Sequence, residues 1–132
     1  MKNIIDTQSA PQPIGPYSQA VRFENFIFTS GQIPIDPVTN EICSDEISAQ
    51  TRCVLRNLQA VLEAGGASLK GVLKTTIFLK DMKNFPVVNQ IYGEYFDSDT
   101  APARSTVEVS RLPKDVLIEI EAVAFRSKSS EG

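Results

Sequence analysis

The residues with the clearest chemical content lie toward the C-terminal end. They are Pro102-Ala103-Arg104-Ser105-Thr106-Val107-Glu108-Val109, then Leu112-Pro113-Lys114-Asp115, then Ile118-Glu119-Ile120-Glu121-Ala122. The outer runs alternate in the period of two that marks strands, and a proline loop joins them. The first run opens with Arg104, a side chain whose planar fork grips a small carboxylate through two parallel hydrogen bonds. The second places Glu119 and Glu121 on one strand face, among Ile118, Ile120, Ala122 and Val123. A carboxylate in an apolar strand is costly unless paired or used. One glutamate can therefore be structural and the other functional, and periodicity does not tell which. The chain contains no histidine. Chemistry near neutral pH falls to Arg, Glu or Asp, Tyr, Ser, Cys, Lys, backbone amides or water.

Other signals are weak singly. Ser30-Gly31 closes a strand, and Gly31 would let a ligand approach the backbone and use its N–H; alone it reads as a turn glycine. Tyr17 follows Gly15-Pro16 and could equally belong to the core. Asn89 falls inside a helical stretch, where asparagine has poor propensity, either as an inward polar group or in solvent. Arg104 by itself also fits a structural partner for an acidic neighbour.

These residues need a scaffold. Ser9 to Pro16 hold three prolines and a glycine and form an irregular arm. Tyr17 to Phe23 read as a short strand, turned near Asn25 into a second one, Phe26 to Ser30. Gln32 to Cys43, with Pro34 and Asp36-Pro37, is a loop. Ser44 and Asp45 are N-cap candidates for a helix to about Ala64, with Ile47, Val54, Leu58, Val61 and Leu62 on one face and Gly65-Gly66 at its end. Leu73 to Lys80 is a strand. A second helix covers about Phe85 to Phe96, with Val88, Ile91, Tyr92 and Tyr95 inward. Arg104 to Ser110 and Val116 to Phe125 are the last strands, and Ser127 to Gly132 is a polar tail expected to fray.

The order strand, strand, helix, strand, helix, strand, strand predicts an α+β fold, a mainly antiparallel sheet with two helices on one face. Two helices cover only one sheet face. Yet Phe26-Ile27-Phe28 and Ile77-Phe78-Leu79 put apolar groups on both, and Val123 and Phe125 oppose Ile118, Ile120 and Ala122. The second face needs a cover, for which another copy of the chain is favoured over loops or the proline arm.

The 132 residues, 42% hydrophobic and 22% charged, suit one soluble domain over 1–132, able to bury roughly two thirds of its unfolded surface. A net charge of -3 argues against nucleic acid as the main partner, since phosphate binding rests on clustered Lys and Arg. No apolar run approaches a membrane span, and the N-terminal residues lack a signal-peptide core, so the expected location is cytoplasmic. Without histidine and with only Cys43 and Cys53, no zinc site of the usual ligands is expected. The cysteines read as ordinary thiols, Cys53 on a helix.

Together the chain resembles the RidA group of the reactive-intermediate deaminases, the broad Rid or YjgF-like family. The resemblance runs through Ile14-Gly15-Pro16-Tyr17-Ser18-Gln19-Ala20, Thr29-Ser30-Gly31-Gln32-Ile33-Pro34, Lys74-Thr75-Thr76-Ile77-Phe78, Val88-Asn89-Gln90-Ile91-Tyr92 and Pro102 to Ala124. It implies a chorismate-mutase-like subunit and a homotrimer with sites in clefts between subunits. It also implies hydrolysis of 2-imino acids (2-iminobutanoate, 2-iminopropanoate) to 2-oxo acids and ammonia, without metal or organic cofactor. Carried over by position, Arg104 binds the substrate carboxylate with help from the Gly31 N–H. Glu119 holds and activates water, and Tyr17, Ser30 and Asn89 complete the pocket. Thr106 stands where many relatives carry cysteine, so a mechanism needing that thiol would be in doubt and a water-based one would not. The same pocket would also suit a non-catalytic sensor of 2-oxo or amino acids. An RNA-directed or translation-inhibiting role, proposed for relatives, lacks a basic-aromatic cluster here.

Overall fold

The computed structural model describes residues 1–126. Six strands form one sheet: β1 (Lys2–Ile5), β2 (Ala20–Phe23), β3 (Phe26–Thr29), β4 (Val72–Leu79), β5 (Ala103–Glu108) and β6 (Ile118–Phe125), in the order β1-β2-β3-β6-β4-β5. All neighbours pair antiparallel except β4 and β5, which are parallel. Helices α1 (Ile47–Ala64) and α2 (Phe85–Tyr95) pack together and join the core on one sheet face. The α+β architecture expected from the sequence is the one observed.

The sheet is organised by β6. Ile118, Ile120, Ala122 and Ala124 are buried, and the residues between them are not. Ile120 pairs with Ile77, Ile118 with Leu79 and Ala122 with Thr75, so β4 follows the same alternation. Against this layer α1 lays Val54, Leu55, Leu58, Val61 and Leu62, and α2 lays Val88, Ile91 and Tyr92. Tyr95 is only half-buried.

Several local expectations are corrected. Neither Ser44 nor Asp45 caps α1; Glu46 holds that position without a side-chain bond. The Ser44 hydroxyl instead accepts from the Glu46 N–H, and the Gln50 amide bridges the Ser44 carbonyl and the Leu117 N–H. The helix start is thus tied to the loop before β6 rather than closed on itself. Gly66, at φ 90°, ends α1, with the Ala67 N–H reaching the Leu62 carbonyl, a closure that favours glycine. Strand β2 starts only at Ala20, so Tyr17 lies ahead of it. Strand β1 escaped the sequence reading because its run does not alternate and buries only Ile5. The proline arm is organised by the buried Gln19, whose amide group bonds the Thr7 N–H and the carbonyls of Thr7, Ala10 and Pro11. The expected fraying of Ser127 to Gly132 lies outside the described residues.

The second sheet face stays open. Phe26, Phe28 and Phe125 on it are 41%, 46% and 40% exposed, and neither the helices nor the arm covers them.

In the core, the hydroxyls of Thr75 and Tyr92 bond at 2.7 Å, linking β4 to α2. Thr75→Val strands the buried Tyr92 hydroxyl and should cost about 1–3 kcal/mol, whereas adding Tyr92→Phe should restore most of it. Urea unfolding at fixed protomer concentration measures both; equal losses in the single and double variants would show that the bond contributes nothing.

Candidate functional site

Between β3 and its continuation along β6 the pairing slips. From Phe28↔Val123 to Gln32↔Ile120 one strand advances four residues (28 to 32) and the other three (123 to 120). This is a β-bulge, which bends a strand and re-aims its residues. The Thr29 hydroxyl fills the gap in the ladder by accepting from the Ala122 N–H at 2.9 Å. Ser30 is fixed on both sides, its N–H on the Gln19 carbonyl and its hydroxyl on the Ser18 carbonyl at 2.6 Å. Gly31 follows and lies directly against Glu119: a methyl group added at Gly31 would overlap the Glu119 carboxylate. A side chain at Gly31 would have to displace that carboxylate, so glycine is what lets the two lie together.

Glu119 projects from the open face, paired across the ladder with Phe78. Partial burial pushes its carboxyl above the ordinary carboxylate range, and the negative charge of Glu121 adds to the rise. Beside Gly31 a cleft of about 330 Å³ is lined by Ile14, Tyr17, Ile33, Ile35 and Lys114 among others. Tyr17 is 54% exposed, so it lines a cleft rather than filling the core. Lys114 and Asp115 both hold left-handed φ angles, near 56° and 57°, in the turn before β6, a conformation that persists only where surroundings enforce it.

Arg104 stands elsewhere. It pairs with Thr75, which pairs with the buried Ala122, so it points to the helix side, at the edge strand β5. Its guanidinium donates to the Asn89 side-chain oxygen at 2.8 Å and lies over the rings of Tyr92 (4.9 Å) and Phe85 (5.3 Å). Phe85, Asn89 and Tyr92 are spaced four and three residues apart on α2, one helical face. The sequence reading found Asn89 but assigned Tyr92 to the core alone and gave Phe85 no role. The shared spacing was the available signal. Burial pushes the Tyr92 hydroxyl's pKa upward, opposed by its bond to Thr75 and by the charge of Arg104. Thr106 lies on the same side of β5 as Arg104.

The predicted residues therefore fall into two groups, one around Glu119 of the open face and one around Arg104 of the helix face. Tyr17, Ser30, Gly31 and Glu119 form one, and Arg104, Asn89 and Thr106 form the other. One chain does not bring them together.

The sequence profile of the family described as Endoribonuclease L-PSP matches residues 7–126. The chain belongs to that family. A RutC family protein from Pyrococcus horikoshii is 59% identical to this L-PSP family chain over 126 residues, 96% of this chain and 99% of that protein. TdcF of Escherichia coli K12, provisionally named a reactive intermediate deaminase, is 48% identical over 129 residues, 96% of this chain and 99% of that one. The crystal structure of E. coli TdcF with bound serine matches with a TM-score of 0.89 at 46% identity, covering 95% of this chain and 99% of that chain. The Rid-type resemblance carried by the five motifs thus holds over nearly the whole chain.

The raised Glu119 pKa has a signed consequence. A carboxyl whose folded pKa exceeds its unfolded value favours the fold below the unfolded value and loses that advantage as pH rises through the folded one. Glu119→Gln should therefore be more stable than wild type at neutral pH, with the gain vanishing in acid. Glu121→Gln should lower the Glu119 pKa. Carboxyl NMR titration and melting curves across pH test both, and a Glu119 titration at or below the ordinary carboxylate range would refute the reading.

Proposed function

We propose that this chain is a deaminase that hydrolyses small 2-imino acids, such as 2-iminobutanoate and 2-iminopropanoate, to 2-oxo acids and ammonia. The site is shared between two copies of a homotrimer, each open face covered by a neighbour. The observation that carries the reading is the split site: a pinned, exposed arginine on one face and a carboxylate laid on a glycine on the other. The deaminase name and bound serine of TdcF support it, since serine has the carboxylate and C2 nitrogen of a 2-imino acid.

Asn89, Tyr92 and Phe85 hold the Arg104 guanidinium, whose fork takes the substrate carboxylate. The Gly31 N–H of the neighbouring copy assists, and Tyr17 and Ser30 complete the pocket. Glu119 accepts a proton as its water adds to C2 of the iminium. The proton passes to nitrogen, Glu119 takes the carbinolamine hydroxyl proton as the C=O forms and the C–N bond breaks, and ammonia leaves with a 2-oxo acid behind. An iminium carbon is already electrophilic, so a thousandfold acceleration needs only about 4 kcal/mol. Orientation and a positioned base supply effects of that size. Thr106 offers a hydroxyl near Arg104, and no thiol is needed.

The family description favours a second reading, RNA cleavage. A net charge of -3 and the absence of histidine weigh against it, and salt-sensitive RNA binding would revive it.

Semicarbazide competition tests the proposal, with a dehydratase generating the imine from threonine or serine. Wild type should suppress the semicarbazone and speed 2-oxo acid release. Arg104→Ala should lose binding and turnover. Glu119→Gln should keep binding and lose about 10²–10³ in rate, and the wild-type acid limb should fall above the ordinary carboxylate range. Unchanged rates in both variants would remove the assignment. Co-refolding equal amounts of the two variants should return about a quarter of wild-type activity, since one site in two times two draws both intact halves from different copies. No recovery would place each site within one chain.

A further inference from the structure

Cys43 and Cys53, outside the site described above, lie together. Cys43 is exposed and Cys53 buried, and both are free thiols. The Cys43 sulfur is 3.7 Å from the carbonyl of Ala49, which lies one helical turn before Cys53 on α1. The Cys43 sulfur is thus seated against the helical turn that carries Cys53. Both line one solvent-connected cavity of about 280 Å³, with Arg56, Asn57, Asp36 and Ser9.

Their environments differ in a way that orders their chemistry. Burial pushes the Cys53 thiol up to about 12, so it resists direct oxidation. It donates to the Ile35 carbonyl at 3.7 Å and sits beside the Asn57 amide, which donates to the same carbonyl at 2.9 Å. Ile35 therefore keeps a hydrogen bond when the thiol is withdrawn. Cys43, by contrast, is exposed and open to a small oxidant.

We propose that Cys43 and Cys53 are a redox-modification site for hydroperoxides, Cys43 reacting first and Cys53 resolving it as an intrachain disulfide. The Cys43 sulfur attacks a peroxide oxygen, the O–O bond breaks, and with hydrogen peroxide one water leaves and Cys43 becomes a sulfenic acid. The Cys53 sulfur then attacks the Cys43 sulfur, the S–O bond breaks, and the Cys53 proton departs with the hydroxyl as a second water. The two thiols lose two electrons and the peroxide gains them. The product ties the far end of the segment running from Gly31 to Cys43 onto α1.

The test treats the native full chain with hydrogen peroxide, blocks remaining thiols with N-ethylmaleimide and maps tryptic peptides. Trypsin cuts after Arg52, so the cysteines fall on separate peptides. The expected result is a dithiothreitol-reversible linked pair in a protein of monomer mobility on a non-reducing gel, with a raised unfolding midpoint. Cys53→Ser, or Cys53→Ala if that variant fails to fold, should leave Cys43 trapped by dimedone. Cys43→Ser should leave Cys53 unmodified at the same dose. Linkage only between chains, linkage only in denaturant, or wild-type Cys43 passing to sulfinic acid without a disulfide would each overturn the proposal.

Discussion

The alternation of β6 is the constraint on which the rest of the structure depends. Its even-numbered residues, Ile118 to Ala124, face the helices and are buried, so the odd ones must face the other way. Glu119 and Glu121 are carried to the open face by the burial of their neighbours. The ladder with β4 extends the constraint outward, setting Thr75 under Tyr92 and, one strand further, Arg104 on the helix side. A one-residue slip of β6 would exchange core and site together.

Much of this was legible in the residues. The alternation in Pro102 to Ala122, the helical spacing over 47–64 and the terminating Gly65-Gly66 correspond to observed elements. Apolar residues on both strand faces announced a face that one chain cannot cover. What escaped was non-local. No window of sequence shows that β3 slips by one residue against β6, because the bulge exists only between segments far apart in the chain, near Phe28 and near Val123. The parallel pairing of β4 with β5 and the opposite faces of Arg104 and Glu119 are likewise properties of register. Strand β1 is a strand by virtue of its neighbour β2 and carries little pattern of its own.

Rigid support reaches the two candidate groups by different means. Around Gly31 it is backbone and hydroxyl bonding: Thr29 replaces a ladder bond that the bulge removes, and Ser30 ties the strand end to Ser18. Around Arg104 it is ring stacking and one amide oxygen, and Tyr92 is itself fixed by Thr75. An arginine held this way loses less freedom when it meets a planar anion than one waving in solvent. Glu119, by contrast, is left with an unfavourable ionisation, a setting that accords with the proposed role of a base.

The parallel edge has a consequence in time. Antiparallel neighbours such as β2 and β3 can zip from their shared turn, but β5 cannot reach β4 until the crossover through α2 is in place. That crossover closes a shorter stretch of chain than the pairing of Phe26 with Phe125 at the centre of the sheet, so less chain entropy opposes it. The crossover that carries Arg104 to the edge is the segment that also carries Phe85, Asn89 and Tyr92, so the arginine and its seat are brought together by one connection. Correct docking of the parallel edge is therefore also what seats the arginine that the proposed function relies on.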